Sequence, residues 1–353
     1  MTYAPGPYGY GYAPVPPPPK PGVIPLAPLD LNHVLGGAFA AYRRNWKVLL
    51  GITLVSYALA ALLIAGVGTA AWTGLSDRWE HTSTAEDVAL SDLTPLFTAL
   101  GIIWLACSVG LLLATGLLHA AVAVVVQEAV LGRRPGFGTV WRRAWSRLGA
   151  VLGSVLLSAV AAVVPALLFM IGLFLMLAAM LANIGSDDGA VGAGWALTGL
   201  LFFLLALAAS PLALWLWVKF SLAPTAAVVE SAGTLTALRR SAQLVRGAWW
   251  RIFGYTLVMM LIVGGVTFVM QMVVSLTTQA SLFAAPLAQH ATPGTVFFSM
   301  GTAAVVSTLL MLGTQAVLGP LQPLTSGLLY VDQRIRRENL APVLAEAAGR
   351  PHA

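Results

Sequence analysis

Charge is what this sequence has least of. Of 353 residues, 19 are Lys or Arg and 13 are Asp or Glu, 9% in all. Soluble domains carry about 25% charged residues, so a water-soluble globular fold is excluded. Cysteine occurs once, at Cys107. No intrachain disulfide can form, and within its apolar run this residue reads as a small packing hydrophobe. The five histidines (His33, His81, His119, His290 and His352) are scattered, and no Cys pair accompanies them, so no metal-ligand spacing is present and no cofactor is expected. The chain also lacks a G-x-S-x-G elbow, a G-x-x-x-x-G-K loop and an H-E-x-x-H pair. These absences point to a protein that is not an enzyme. The first 29 residues hold no apolar h-region, so the first span is expected to act as its own insertion signal.

What is present is apolar sequence in long blocks. Hydrophobic residues make up 58%, with a mean hydropathy of +0.85. Uncharged runs cover Val48–Ser76, Leu93–Gln127, Leu148–Ser186, Gly189–Val218 and Ile252–Val331. About 20 helical residues cross a ~30 Å hydrocarbon core. The first four runs each hold one span, and the fifth, broken at Thr277–Gly294 where Pro286, His290, Pro293 and Gly294 gather, holds two. The fold class is therefore all-α: a polytopic membrane protein with six transmembrane helices. Segments 43–47, 133–147, 239–251 and 334–337 carry fifteen Lys or Arg, whereas 73–92, 183–194 and 277–294 carry only Arg78 and seven acids. That asymmetry places both termini in the cytoplasm. Sixteen Arg against three Lys points to a GC-rich prokaryotic genome and hence a prokaryotic plasma membrane.

Residues 1–29 contain ten of the 21 prolines and four of the eight tyrosines. They read as a disordered cytoplasmic tail with polyproline II character, a spacer or a docking segment for a proline-recognising protein. Residues 30–338 form the membrane domain and 339–353 a second cytoplasmic tail. The net charge of +6 does not indicate nucleic acid, because the basic residues border spans and face anionic lipid instead. Trp46, Trp141, Trp145, Trp249 and Trp250 on the basic side, with Trp72, Trp79 and Trp195 on the other, read as interfacial belts.

The chain also repeats itself. Segments 42–54 and 245–257 align without gaps at Arg43/Arg246, Trp46/Trp249, Gly51/Gly254, Thr53/Thr256 and Leu54/Leu257, and 140–156 has the same character. The returning spans end VVVQE, AAVVE and LLYVD, with Glu128, Glu230 and Asp332 separated by 102 residues each time. The reading is three helical hairpins over about 30–132, 133–233 and 234–338, each preceded by a basic amphipathic helix on the cytoplasmic side.

The segments PLDLNHVLGGAFAAYRRNW, VKFSLAPTAAVVE and LRRSAQLVRGAWWRIFGY resemble the membrane domain associated with glycerophosphoryl diester phosphodiesterases. The resemblance spans about 30–338 and implies a stand-alone membrane domain. The His-Arg-Gly motif and clustered acids of the family's catalytic domain are absent, so it implies no phosphodiesterase activity here.

Two groups of residues are candidates for function. Arg43, Arg44, Lys47, Arg142, Arg143, Arg147, Arg239, Arg240, Arg246 and Arg251 lie in the basic segments and suit anionic head groups. Lys219, His119, Glu128, Glu230 and Asp332 are ionisable residues within or bordering spans, where such groups are costly. An acid at a helix C-terminus opposes the helix dipole, so each recurring acid calls for a cation. The expected partners are Arg142 or Arg143 for Glu128, Arg239 or Arg240 for Glu230, and Arg43 or Arg44 for Asp332. Pro211, Pro224, Pro320 and Pro323 should kink or interrupt the fourth and sixth spans, and Gly149-x-x-x-Gly153 permits close helix approach. The leading reading is a scaffold or accessory subunit that engages anionic lipid or proteins. The alternatives are a transporter or lipid-handling protein with a polar site near Lys219, and a membrane subunit for a separate phosphodiesterase.

Overall fold

The computed structural model describes residues 20–83, 90–185, 189–287 and 293–349. The three loops expected on the acidic side (around 84, 187 and 290), tail residues 1–19 and the side chains of Trp72 and Trp79 lie outside the described residues. What is described is helical: α1 (Leu31–Ser83), α2 (Leu90–Val130), α3 (Phe137–Gly185), α4 (Gly189–Phe220), α5 (Ala223–Val229), α6 (Thr234–Val245), α7 (Trp249–Leu287), α8 (Pro293–Leu318), α9 (Leu321–Glu338) and α10 (Leu340–Gly349). Five segments are long and apolar enough to cross a membrane: Leu31–Ala71, Gly101–Val130, Val163–Met180, Gly192–Val229 and Trp249–Leu276. The most extensive helix pairings are α3 with α4 and α1 with α2, followed by α2 with α3 and then α7 with α8.

The bundle is unequally packed along its length. Buried residues concentrate at the basic end, where Leu117–Val130 of α2 forms a central post against α5 and α9. Far from that end, large apolar side chains face outward: Leu62 is 69% exposed and Phe174 is 70% exposed. Apolar surface on this scale is tolerated only where something apolar covers it, and hydrocarbon chains would do so. The post works because its neighbours are small: a Cβ on Gly327 of α9 would lie 2.9 Å from Val126.

Several local expectations are corrected. Residues 20–29 are not a disordered tail. Val23, Ile24, Leu26 and Leu29 are buried, and Val23 N–H donates to the Ala129 carbonyl at 3.2 Å. The prolines around these apolar residues disfavour a helix, and the segment lies as a strap along the core, bending at 21–24 and 26–27. Residues 340–349 likewise form α10, whose Leu340 and Leu344 pack on the core.

The basic segments do not form three equivalent separate helices either. The first joins its span through a kink at Asn45 (φ −120°, ψ 20°). The second runs unbroken into α3, and only the third is a separate helix, α6, divided from α7 by a turn at Gly247 (φ +77°). The returning helices do break at proline. Pro224 opens α5 and Pro320 caps α9, whereas Pro211 sits inside an uninterrupted α4. α3 and α4 approach closely at Gly172 and Gly199, where a Cβ on either residue would come 2.9 Å from the other's carbonyl oxygen. Of the Gly149-x-x-x-Gly153 pair, Gly153 meets α6, a Cβ there lying 2.5 Å from Thr234 Oγ1, whereas Gly149 faces open space.

Candidate functional site

The basic end is pinned by ion pairs. Arg143 Nη1 lies 3.0 Å from Glu128 Oε1, and Arg240 Nε lies 2.7 Å from Glu230 Oε1. Both arginines are among the partners expected for those acids. Tyr330 Oη donates to the same Glu230 oxygen at 2.6 Å, and Arg240 also reaches Glu338. Arg334 donates to Glu338 at 2.8 Å. Burial opposes ionisation of Glu338, but the hydrogen bonds from Arg334 and Arg240 outweigh it and hold its carboxyl below the ordinary value. Burial, seconded by the hydrogen bond to Glu230, pushes the Tyr330 phenol far above its ordinary value, so it stays a donor.

Asp332 departs from the expectation. It is 0% exposed and pairs with Arg251 at 3.2 Å and Arg336 at 3.0 Å, while accepting the Leu29 N–H at 2.7 Å. The strap explains the difference. Leu29 brings its amide to the carboxylate and its carbonyl to Arg251 and Arg336, so one buried cluster satisfies both acid and strap. Arg44 instead donates to the Gly132 carbonyl at the end of α2.

The other basic candidates divide by role. Arg147 donates to Ser231 O at 3.3 Å, and the Arg246 carbonyl accepts from Arg337. Arg43, Lys47, Arg142, Arg239 and Arg246 have exposed side chains, and none makes an ion pair among the described residues. Lys219 lies over the Trp215 ring at 4.3 Å, beside the α6–α7 turn.

Above this pinned end is a cavity of about 450 Å³ bordered by α1, α2, α3, α4 and α7 and by the α8–α9 break. Small-molecule sites span about 300–1,000 Å³. At ~1.5 Å per residue, His119 stands about 13 Å along α2 from Glu128, and Thr256 about 7 Å along α7 from Arg251. Much of the wall is apolar (Leu118, Val155, Trp217, Phe220, Val263 and Leu318, with Ala159 and prolines), and ten uncharged polar side chains are set among these residues.

The hydrogen bonds inside the wall decide what it can recognise. Thr115, Ser158 and Thr267 each donate their hydroxyl proton to the carbonyl one turn earlier, at 2.7–2.9 Å. Ser221 and Ser326 donate to carbonyls three residues back. The His119 Nδ1 contact to the Thr115 carbonyl (2.8 Å) requires a proton on Nδ1, so Nε2 of the neutral ring is an acceptor. These six side chains therefore offer lone pairs. Tyr57, Thr256, Gln315 and Gln322 supply the adaptable donors and acceptors. No Asp, Glu, Lys or Arg lines the cavity.

The structure thus separates the two intramembrane candidates: His119 borders the cavity and Lys219 does not. Sequence reasoning missed Tyr57, Thr256, Gln315 and Gln322. It weighed ionisable residues in the spans, whereas these are neutral polar residues isolated in apolar runs. Their only signal is glutamine at 315 and 322 flanking the proline-associated break.

No curated protein and no solved structure matches the chain. Residues 29–321 match a family described as a domain of unknown function, DUF7847, and the chain belongs to that family.

Proposed function

We propose that this is a non-enzymatic, six-span membrane protein that binds and handles a neutral molecule rich in hydroxyl or amide donors. In this reading α8 is the sixth span, the helices form three hairpins and the basic end faces the cytoplasm. The observation that carries the function is the uncharged, acceptor-rich cavity walled by every hairpin, at a depth where polar side chains are costly. Its apolar wall suits an acyl or aromatic portion of the same molecule. The reading keeps the lipid-handling alternative and moves its site from Lys219 to His119.

The test is mass spectrometry of molecules retained after purification in detergent. Neutral, hydroxyl-rich species should accompany the wild type and be lost from the Gln315→Leu/Gln322→Leu variant, which removes both amides and adds no charge. Equal retention by the two proteins would overturn the proposal.

A second reading, a lipid-engaging scaffold, is favoured by the outward faces of the basic segments. There Trp46, Trp145 and Trp250 are exposed near Arg43, Arg142 and Arg246, a pairing suited to the head-group region.

A further inference from the structure

At the basic end, independent of the central cavity, Lys20 and Gly22 of the strap, Ala40, Arg43 and Arg44 of α1, and Arg134 border a hollow of about 400 Å³. Among the described residues, four cations and no carboxylate line it. Elsewhere at this end each recurring acid has an arginine, but Lys20, Arg43 and Arg134 make no ion pair among the described residues. We propose that this hollow is a binding site for a dianionic phosphate group.

The local fold assembles the site. Gly132 turns with φ +79°, and a Cβ there would lie 2.5 Å from the Pro21 carbonyl, so the strap can cross the turn only over glycine. That crossing brings Lys20 to the hollow. Of the two arginines after the turn, Arg133 is engaged by the Ala347 carbonyl of α10 at 3.2 Å, while Arg134 borders the hollow. Arg44 donates to Gly132 O through Nη2, yet its buried Nε has no partner. A buried, unpaired guanidinium donor is costly, so Arg44 is held here at an energetic expense that a second negative partner on its guanidinium would offset.

The charge count selects the ligand. One carboxylate would leave three cations in mutual repulsion, whereas a phosphomonoester or pyrophosphate carries two or more negative charges and presents oxygens matching the guanidinium fork. Two sources share this chemistry: the phosphomonoester head group of a lipid and a soluble phosphate compound. The exposed Phe39 and Trp46 on the α1 face that carries Arg43 put the site beside surface suited to lipid.

The experiment uses the full chain in two arms. In nanodiscs, native mass spectrometry compares phosphatidic acid with phosphatidylcholine; in neutral detergent, pyrophosphate is titrated by calorimetry. At least one probe should bind, and Arg43→Gln/Arg134→Gln should weaken it roughly tenfold or more, about 1.4 kcal/mol. Binding of phosphatidic acid identifies a lipid source and binding of pyrophosphate a soluble one. Arg133→Gln/Arg337→Gln removes the same charge from side chains that hold backbone carbonyls and do not border the hollow, and should leave affinity within about twofold, a shift below half a kcal/mol. Should the Arg43/Arg134 variant fail to fold, Lys20→Gln, at the exposed first residue of the strap, serves, with a loss of several fold. Failure of both probes to bind, or equal weakening by the control variant, would overturn the proposal.

Discussion

Replacing Asp332 with Asn tests whether the buried cluster joins the strap to the bundle. The carboxylate has no exposure, while its arginine partners Arg251 and Arg336 are 23% and 33% exposed. Breaking a fully buried pair by removing one partner costs about 3–5 kcal/mol, and an exposed pair contributes about 0–1 kcal/mol. Asp332 belongs between these limits, because water reaches the guanidiniums but not the acid. Asn can still accept the Leu29 N–H through Oδ1, but its amide NH2 replaces the oxygen that faces Arg251, so the charge and one acceptor are lost and a cost of about 2–3 kcal/mol follows from those bounds. Glu128 is the internal control. Its partner Arg143 is 53% exposed, so Glu128→Gln should cost under about 1 kcal/mol. Thermal unfolding in detergent, followed by tryptophan fluorescence, gives the ranking. Hydrogen exchange gives the location, with protection lost first at Val23–Leu29. Equal destabilisation by the two variants, or unchanged exchange in the strap, would refute the reasoning.

Tyr330→Phe removes a hydrogen bond to a carboxylate, so it should destabilise by about 1.5–3 kcal/mol in the same unfolding assay. Glu338 has a lowered pKa, so its contribution is complete above the ordinary carboxyl value of 4.5 and is lost as pH falls through the lower folded value. The stability gap between wild type and Glu338→Gln should accordingly shrink as pH drops below 4.5, which chemical unfolding at stepped pH would detect. Gly199→Leu forces a side chain against the Gly172 carbonyl and should cost at least about 1–3 kcal/mol, read as earlier melting, whereas Gly149→Leu should be near neutral. For topology, after Cys107→Ala, single cysteines placed at Thr84, Asp187 and His290 should react with an impermeant thiol reagent on intact cells, and one at Gly136 should not.

How much of this was legible in the sequence follows the reach of each interaction. Apolar runs mark helices because the signal lies within one segment, and proline marks the breaks at Pro224 and Pro320 because it removes a local donor. Continuity at the basic junctions was not legible in the same way. The basic segments 133–147 and 239–251 have similar Arg/Trp character, yet the first continues within α3 and the second is divided by the turn between α6 and α7. Gly247 takes φ +77° there, and 140–156 offers no turn glycine until Gly149. The strap escaped notice because proline density reads as disorder, while the apolar residues between the prolines find their partners far along the chain: Leu29 meets Asp332 at a separation of 303 residues.

The acid clusters show the same limit more sharply. The equal spacing of Glu128, Glu230 and Asp332 invites a cyclic rule in which each acid meets the next basic segment and the third closes the ring through Arg43 or Arg44. Two acids follow that rule. The third has an option the others lack, because α9 continues past the acid and places Arg336 one turn further on the same face, within reach of Asp332. After Glu128 and Glu230 the chain turns away within a few residues, so no such arginine is available. Once Arg251, Arg336 and Leu29 satisfy Asp332, Arg43 and Arg44 have no acid to complete. Arg44 turns to the Gly132 carbonyl, and both arginines border the hollow with Lys20 and Arg134. The break in the pairing pattern and the collection of cations without an acid are thus two consequences of one difference, the longer helix α9 that carries the third acid.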